Sequence, residues 1–425
     1  MLGLDKYASR EIAYKRENKN ELNKTYSELI VLRIIMLIIT TIIYIIFSIF
    51  SEYRMFLLLQ SIYVIGYLVD ISWLYNGLEE FKKTVLRSII IKILNILCIF
   101  IFIKEPSDLW KYILINGILL LFGNLSLYFN IKKYVKLGKV KLKDVMKHVP
   151  MTLQIFIPQL AIQLYLQLGK IMIEAITGNA VDVGYYDQAD KIVKLPMSLI
   201  TALSTVMLPR VSNEIKKKNN EKVNEYINTS LVFSFFIGIP IMVGLFSIAD
   251  TLVPWLLGQE YMPVIKTIQI LSPIILALCL TNVLGDQYMM AANKTKELTL
   301  SYIVGVVVNF VFNIFLIKQF SYIGAAIGMI ITELSIIAIQ IKYTNNVIEK
   351  KFFTKNAFKY AISSLIMIIP IMFVKRIGLN IVVTTFVQII VGGVTYFAML
   401  FVLKDNFFYT YCKKIVEKIV RKGEK

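Results

Sequence analysis

Between residues 163 and 201, polar and charged side chains interrupt apolar runs that are long enough to cross a membrane. Lysine ammonium groups in this stretch could bind an anionic ligand as point charges, and carboxylate, amide and hydroxyl groups could complete a binding site. Ionisable residues inside a membrane segment are costly and are typical of substrate or ion pathways. The candidate binding residues are Gln163, Gln167, Lys170, Glu174, Lys191, Lys194, Ser198 and Thr201.

Helical spacing gathers these residues on two polar faces. At about 100° per residue, the first face falls within an arc of about 80° and consists of Gln159, Gln163, Gln167, Lys170 and Glu174. On a second helix, a similar arc contains the polar residues Asp187, Lys191, Lys194, Ser198, Thr201 and Thr205. A polar face turned toward lipid would leave several groups without hydrogen bonds, each at a cost of a few kcal/mol. We therefore expect each face to lie against another helix or a water-filled cavity.

A structural role is the alternative for Lys170 and Glu174. The two residues are four positions apart, could pair with each other, and lie near a helix end from which long side chains can reach water. Lys194 fits that explanation less well, because it lies roughly 14 Å into its helix at about 1.5 Å per residue. Pro196 follows it and predicts a kink. Lys191 and Lys194 are therefore predicted to line a cavity.

Glu333 is a candidate for ion coupling, because it lies near the middle of the apolar segment IGMIITELSII. It could bind a cation or a proton, or it could be the buried partner of a lysine, and the sequence leaves both open. Asn309 and Asn313 are expected to form hydrogen bonds between helices, and the small residues of YIGAAIGMI to allow close helix packing. Arg33 lies near a helix end, where we expect its side chain to reach toward the membrane surface.

The composition indicates which elements position these residues. Of the 425 residues, 57% are hydrophobic, and the mean hydropathy is +0.67. Apolar runs of about 20 residues recur, long enough to cross a hydrocarbon core of roughly 30 Å as α-helices. The sequence thus predicts an all-α, polytopic integral membrane protein. The cysteines and the single His148 show no paired or metal-binding spacing, so we expect no disulfide, metal or cofactor.

About twelve membrane-spanning helices are predicted from these runs. Their positions are 29–50, 55–75, 84–103, 109–129, 150–176, 185–208, 228–248, 263–291, 297–317, 323–342, 357–375 and 379–403. Lys and Arg are concentrated in the N-terminal segment, in the loops after every second span and in the C-terminal tail. The positive-inside rule places these regions, and therefore both termini, in the cytoplasm, and the protein in the cell membrane. The net charge of +19 is thus a topology signal rather than a sign of nucleic-acid binding.

We expect the spans to form two lobes separated by a basic loop. The predicted organisation is a cytoplasmic segment at 1–28, four first-lobe spans at 29–129, a basic loop at 130–149, six second-lobe spans at 150–342, two additional spans at 343–403 and a basic tail at 404–425.

No enzyme motif is present in the sequence. It lacks the phosphate-binding loop G-x-x-x-x-G-K-[ST], the zinc motif H-E-x-x-H and the nucleophile motif G-x-S-x-G. The predicted outer loops are short, which disfavours a membrane glycosyltransferase or polymerase. A channel and a non-transporting scaffold stay open as alternatives, but irregular spans interrupted by proline favour a transporter.

Several stretches resemble the polysaccharide repeat-unit (Wzx-type) flippases of the multidrug/oligosaccharidyl-lipid/polysaccharide (MOP) exporter superfamily. The matching stretches are LQLGKIMIEAITGNAVDVGYYDQADKIVKLP, LSTVMLPRVSNEIKK, LLGQEYMPVIKTIQILSPI and VVVNFVFNIFLIKQFSYIGAAIGMIITEL. Each motif alone is weakly specific, whereas their order and spacing together are fairly specific. The opening GLDKYASREIAYKREN is similar to the family's cytoplasmic loop after its second helix.

The resemblance implies two six-helix lobes around a central cavity, often with two extra C-terminal helices. It also implies transport of an undecaprenyl-pyrophosphate-linked oligosaccharide from the cytoplasmic to the outer leaflet by alternating access, without covalent chemistry. Polysaccharide polymerase and assembly proteins are the partners implied. Lysines would suit the anionic headgroup, while amides and hydroxyls would suit the sugars.

The position of the opening match implies that the family's first two helices are missing, which leaves the first lobe incomplete. We expect either a mis-assigned start codon or a truncated, weakly active product. The main alternative function is a cation-coupled multidrug exporter of the same superfamily. Such an exporter would want acidic and aromatic cavity walls, whereas the polar stretch here offers lysines.

Overall fold

The computed structural model describes residues 3–129, 131–348 and 350–410, and this part of the chain contains helices and no β-strand. The predicted all-α fold class is confirmed. The chain divides into two compact units, Met1–Leu160 and Ala161–Lys425. Each unit is described below by itself.

The first unit is built from short and long helices in succession. Its helices are α1 (Leu4–Lys15), α2 (Lys19–Ile49), α3 (Arg54–Leu68), α4 (Ser72–Gly77), α5 (Phe81–Phe102), α6 (Leu109–Leu125) and α7 (Leu142–Met146). Helix α8 (Val149–Thr177) begins in the first unit and ends in the second.

The second unit contains the end of α8 and eight further helices of the described chain. They are α9 (Ala180–Lys194), α10 (Met197–Lys216), α11 (Asn220–Leu256), α12 (Met262–Leu271), α13 (Ile274–Thr281), α14 (Thr295–Thr344), α15 (Lys350–Lys375) and α16 (Ile381–Val402). A π-helical segment, Asn282–Met289, extends α13. The buried core of the second unit contains residues of α8, α9 and α11 to α14, among them Ile173, Val193, Ala249 and Ile275.

Asparagine side chains start several of these helices. Asn179 Oδ1 accepts the backbone N–H of Val181 at 3.0 Å before α9, and Asn380 does the same for Val382 before α16. Asparagine is a preferred N-cap because its side chain satisfies a backbone donor that has no partner inside the helix. Such caps fix where the chain turns between consecutive helices.

Many of the helices suit a bilayer. Eight helical stretches of the described residues are long and apolar enough to cross a membrane, or nine when the pair bent by 49° at Pro273 counts as one span. The chain is therefore a multi-pass membrane protein. The count covers the described residues only, and helices α8 and α10, which together with α9 carry the predicted polar faces, include side chains outside it. As membrane crossings they stay predictions.

Helix α14 is a hairpin of two antiparallel helices rather than one continuous rod. The chain reverses at Ser321, whose φ is 49° and ψ −130°. Asn309 Nδ2 donates to Thr332 Oγ1 at 3.0 Å across the hairpin. A Cβ on Gly328 would lie 2.0 Å from Asn313 Oδ1, so only glycine allows this approach. The predicted boundary between the ninth and tenth spans, the interhelical asparagine and the close packing of small residues are confirmed.

Two predicted spans are interrupted. The second, 55–75, is divided because α3 ends at Leu68 and the short helix α4 begins at Ser72. The sixth, 185–208, is divided between α9 and α10 at Pro196, where the kink was expected. Proline lacks the N–H that would continue the helical ladder, which explains the second interruption.

The N-terminal helix α1 belongs to the core of the first unit, which the sequence analysis did not foresee. Leu4, Ala8 and Ile12 are buried against α4. A Cβ on Gly77 of α4 would lie 2.6 Å from the carbonyl oxygen of Ser9. The two helices therefore pack at a distance that only a glycine permits.

Arg33 links α1 to the membrane helices, and the expectation that it reaches the membrane surface is wrong. Its side chain is 1% exposed, with Nη1 2.6 Å from Asp5 Oδ1. Its Nη2 also donates to the carbonyl oxygen of Tyr67 at 2.7 Å. A buried guanidinium requires such partners, and α1 supplies the carboxylate that the sequence of α2 alone does not show.

His148 joins α1, α2 and the start of α8. Tyr7 Oη lies 2.6 Å from its Nδ1, and Glu28 Oε2 lies 2.9 Å from its Nε2. Burial raises the pKa of Tyr7 to about 12, so the hydroxyl stays protonated and can donate a hydrogen bond to Nδ1. With Nδ1 accepting, Nε2 carries the hydrogen that the Glu28 carboxylate accepts.

Candidate functional site

Helices α8 and α9 bring their polar faces together. Lys170 on α8 places its Nζ 2.7 Å from Oδ1 of Asp187 and 3.6 Å from Oδ2 of Asp190, both on α9. Only a short connection separates Thr177 at the end of α8 from Ala180 at the start of α9, so the two helices run side by side in opposite directions. The expectation that these faces meet another helix is confirmed at Lys170.

Two further lysines are tied to the same aspartates along α9. Lys191 Nζ lies 2.6 Å from Asp187 Oδ2, and Lys194 Nζ lies 2.6 Å from Asp190 Oδ1. Each lysine follows its aspartate by four residues, the spacing that brings side chains together on a helix. Three ammonium groups thus share two carboxylates. We call Lys170, Asp187, Asp190, Lys191 and Lys194 the α8–α9 cluster.

Burial is uneven across the α8–α9 cluster. The side chain of Asp190 is 8% exposed and that of Lys170 19%, whereas that of Lys191 is 61% exposed. Removing a charge from water costs several kcal/mol unless it is paired, so the buried Asp190 depends on its two lysines. Lys191 is instead open on the side that does not face Asp187, where an anion could approach.

The other predicted binding residues surround this cluster without entering its ion pairs. Glu174 is half-buried and forms no ion pair with Lys170, so the structural alternative in which these two pair is wrong. Gln163 and Gln167 are exposed on α8. Ser198 and Thr201 are exposed on α10, and their hydroxyls donate to backbone carbonyl oxygens of the preceding turn. The side chains of Gln159 and Thr205 lie outside the described residues.

Glu333 lies apart from the α8–α9 cluster. It is fully buried, and its Oε2 accepts a hydrogen bond of 3.3 Å from Thr281 Oγ1. Its Oε1 has no hydrogen-bond partner in the described part of the chain, and no described lysine forms an ion pair with it. Glu333 therefore has no lysine partner among the described residues, and both roles considered for it stay predictions.

The counter-ions of the lysines were missed as functional residues. Asp187 was placed on the polar face of its helix, but neither it nor Asp190 was assigned a role. The signal that could have found them is the segment DQADKIVK, which contains two aspartate–lysine pairs four residues apart. Such pairs predict that the lysines are neutralised within their own helix before any ligand arrives.

Comparison of the sequence with models of known protein families shows which family the chain belongs to. The model of the polysaccharide biosynthesis protein family matches residues 1–215, half of the chain. The chain belongs to the polysaccharide biosynthesis protein family. A second family model, MatE, matches residues 155–315, which include the α8–α9 cluster.

Two relatives are similar to this chain along most of its length. A protein of Shigella dysenteriae named "Putative O-antigen transporter" is 24% identical over 345 residues, which cover 80% of this chain and 86% of the relative. A protein of Escherichia coli (strain K12) with the same name is 25% identical over 350 residues, covering 81% and 84%.

A solved structure shows the same fold. The inward closed conformation of the lipid II flippase MurJ matches with a TM-score of 0.76 at 18% identity, covering 94% of this chain and 89% of the other. This member of the polysaccharide biosynthesis protein family therefore has the fold of a MOP-superfamily transporter.

Proposed function

We propose that this protein moves lipid-linked oligosaccharide repeat units from the cytoplasmic to the outer leaflet of the cell membrane for surface polysaccharide synthesis. The observation that carries the proposal is the match, along four fifths of the chain, to two proteins named "Putative O-antigen transporter". The lipid carrier we propose is undecaprenyl pyrophosphate. The role is transport by alternating access, and no covalent step is part of it.

The α8–α9 cluster supports the proposal through its charge. Three ammonium groups facing two carboxylates leave one positive charge in excess, and Lys191 is open to a ligand. A pyrophosphate oxygen could replace a carboxylate oxygen at Lys191 or Lys194 because the two anions accept hydrogen bonds from an ammonium group in the same way. The exposed amides of Gln163 and Gln167 and the hydroxyls of Ser198 and Thr201 would then bind sugar hydroxyls. Glu174 completes the proposed lining.

Glu333 is the residue we propose for ion coupling. A fully buried carboxyl group with a single long hydrogen bond and no cationic partner in the described chain is costly to ionise. Binding of a proton or a cation would remove that cost. A membrane potential of 100 mV supplies about 2.3 kcal/mol per elementary charge, enough to bias a transport cycle.

The proposal includes a topology and partners. Both termini would lie in the cytoplasm, because basic residues are concentrated there and in alternate loops. A polysaccharide polymerase and assembly proteins would use the exported units on the outer side. Labelling single cysteines placed in alternate loops from outside the cell would test the topology.

A leaflet-resolved count of lipid-linked intermediates tests the function. In a deletion strain, the intermediates should accumulate in the inner leaflet, and the wild-type gene should restore export. Lys194→Ala should lower export at least tenfold (about 1.4 kcal/mol) while the protein still inserts. Lys222→Ala is the matched control, since Lys222 is exposed at the start of α11 and outside the α8–α9 cluster. Unchanged export by Lys194→Ala would remove Lys194 from the site.

A cation-coupled multidrug exporter is the second candidate, favoured by the MatE match over residues 155–315. The same deletion strain separates the two functions. Normal leaflet distribution together with altered drug resistance would support the exporter and contradict the flippase.

A further inference from the structure

A second polar pocket lies in the first unit, outside the α8–α9 cluster. It has a volume of about 400 Å³ and is formed by α4 and the first half of α5. Its polar lining consists of Ser72, Asn76, Thr84, Arg87, Ser88 and Lys92. We call this the α4–α5 pocket.

The α4–α5 pocket holds two cations and no lining carboxylate among the described residues. Lys92 is exposed and forms no ion pair or hydrogen bond in the described part of the chain. Arg87 Nη1 donates to Asn124 Oδ1 at 2.6 Å, while its buried Nε has no described partner. The carboxylate of Asp70 contacts the pocket only through Ser72, whose hydroxyl and N–H it binds.

Asn124 fixes the direction in which Arg87 points. Its Nδ2 donates to the carbonyl oxygen of Gly66 at 2.9 Å, which leaves its Oδ1 to accept from the guanidinium. Asn124 is itself buried. Arg87 is therefore held by a neutral partner that positions the guanidinium without cancelling its charge.

The depth of the pocket makes these charges unusual. Lys92 is the twelfth residue of the 22-residue helix α5, so it lies roughly 16 Å from the start at about 1.5 Å per residue. Aliphatic side chains beside it, including Ile89 and Ile93, are about half exposed, as expected for a surface covered by lipid chains. A cation at that depth costs about 3 kcal/mol unless an anion accompanies it.

We propose that the α4–α5 pocket binds the diphosphate headgroup of a polyprenyl-linked lipid, a binding step that rests on the transport function proposed above. The guanidinium of Arg87 and the ammonium of Lys92 contribute two positive charges, which match a diphosphate better than the single charge of a phospholipid phosphodiester. The hydroxyls of Thr84 and Ser88 donate to Asn76 or to backbone carbonyl oxygens of α5, so they would have to rotate to donate to the headgroup. The polyprenyl chain would lie on the exposed aliphatic surface of α5, so the anion arrives from within the bilayer.

Native mass spectrometry of the purified full-length protein tests this inference. The protein would be titrated with undecaprenyl diphosphate, with and without excess phosphatidylglycerol. Lys92→Gln should weaken undecaprenyl diphosphate binding at least tenfold, and Lys92→Arg should retain most of it. Lys82→Gln is the control, because Lys82 is an exposed lysine on the same helix and outside the pocket lining. Excess phosphatidylglycerol should displace little of the diphosphate lipid.

The outcomes separate this inference from the proposed function. Equal binding of undecaprenyl diphosphate by wild type and Lys92→Gln overturns the proposal that the α4–α5 pocket binds this lipid. If Lys194→Ala still lowers binding and export in that case, the transport function stands. Displacement of most of the diphosphate lipid by excess phosphatidylglycerol also overturns the inference, since the pocket would then hold ordinary phospholipid. Normal leaflet distribution in the deletion strain contradicts the transport function whatever the pocket binds. Circular dichroism and size-exclusion profiles matching wild type would establish that Lys92→Gln is folded.

Discussion

The α8–α9 cluster and the α4–α5 pocket both hold cations on helices of a membrane protein, but they treat those charges differently. In the α8–α9 cluster each lysine lies within 2.7 Å of a carboxylate oxygen. In the α4–α5 pocket Lys92 has no described partner and Arg87 has a neutral one. The sequence itself distinguishes the two regions, because an aspartate lies four residues before each α9 lysine, whereas Ser88 lies four residues before Lys92.

This difference in charge pairing suits the two regions to different roles, helix packing in the α8–α9 cluster and ligand binding in the α4–α5 pocket. Paired charges in the α8–α9 cluster hold α8 against α9, and a ligand must compete with aspartate to bind there. In the α4–α5 pocket, Lys92 has no described partner and is free to bind an anion, whereas Arg87 also joins α5 to α6 through its hydrogen bond to Asn124. Substitutions of the paired charges in the first region should therefore lower stability, whereas substitution of Lys92 in the second should lower ligand binding and leave stability nearly unchanged.

Asp190→Asn should have the largest effect on stability. The change leaves Lys194 without its partner and Lys170 with only Asp187, so the free energy of unfolding should fall by about 3 kcal/mol. Unfolding with sodium dodecyl sulfate in mixed detergent micelles measures this. The double variant Asp190→Asn with Lys194→Gln removes the stranded charge and should recover about 1 kcal/mol. A loss below about 1 kcal/mol for Asp190→Asn would show that the cluster does not hold the helices together.

Asp187→Asn should have a smaller effect than Asp190→Asn. Asp187 is 25% exposed and one of its partners, Lys191, is mostly in the open, so the free energy of unfolding should fall by about 1.5 kcal/mol. The same detergent unfolding measurement applies, with Asp182→Asn, outside the cluster near the start of α9, for comparison. An effect of Asp187→Asn larger than that of Asp190→Asn would reverse the order that burial predicts.

Much of the fold could be predicted from the sequence because apolar run length and helical spacing are local properties. The hairpin within α14, the interruption at Pro196 and the meeting of polar faces at Lys170 were all expected on that basis. The role of α1 was not, because Leu4, Ala8 and Ile12 resemble an ordinary amphipathic surface helix until α4 is packed against them.

The candidate site was predictable in its residues but less so in its charge balance. Lys170 finds its counter-ions on another helix, and Arg33 finds Asp5 28 positions away. Such partners depend on tertiary packing, which the spacing within one helix does not specify. Asp187 and Asp190 could have been recognised as partners of Lys191 and Lys194, since those contacts are local.

Lys191→Ala should alter stability only slightly. Its side chain is 61% exposed, and an exposed ion pair four residues apart on a helix stabilises by roughly 0.3 to 0.5 kcal/mol. High salt should screen this contribution and reduce the difference from wild type further. A loss above about 1.5 kcal/mol, unaffected by salt, would indicate that Lys191 is buried against a neighbour and is not open to a ligand.

Lys92→Gln should have the smallest effect on stability, within about 0.5 kcal/mol of wild type, because the side chain contacts no described partner. The same variant should lose about half of the stabilisation that ligand binding gives. With undecaprenyl diphosphate at about 100 times its dissociation constant, wild type gains about 2.7 kcal/mol, and a tenfold weaker variant gains about 1.4 kcal/mol. Lys82→Gln should gain as much as wild type. If Lys92→Gln instead lowers the stability of the ligand-free protein by more than about 1 kcal/mol, Lys92 holds the helices together as the paired lysines of α9 do, and the contrast between the two regions fails.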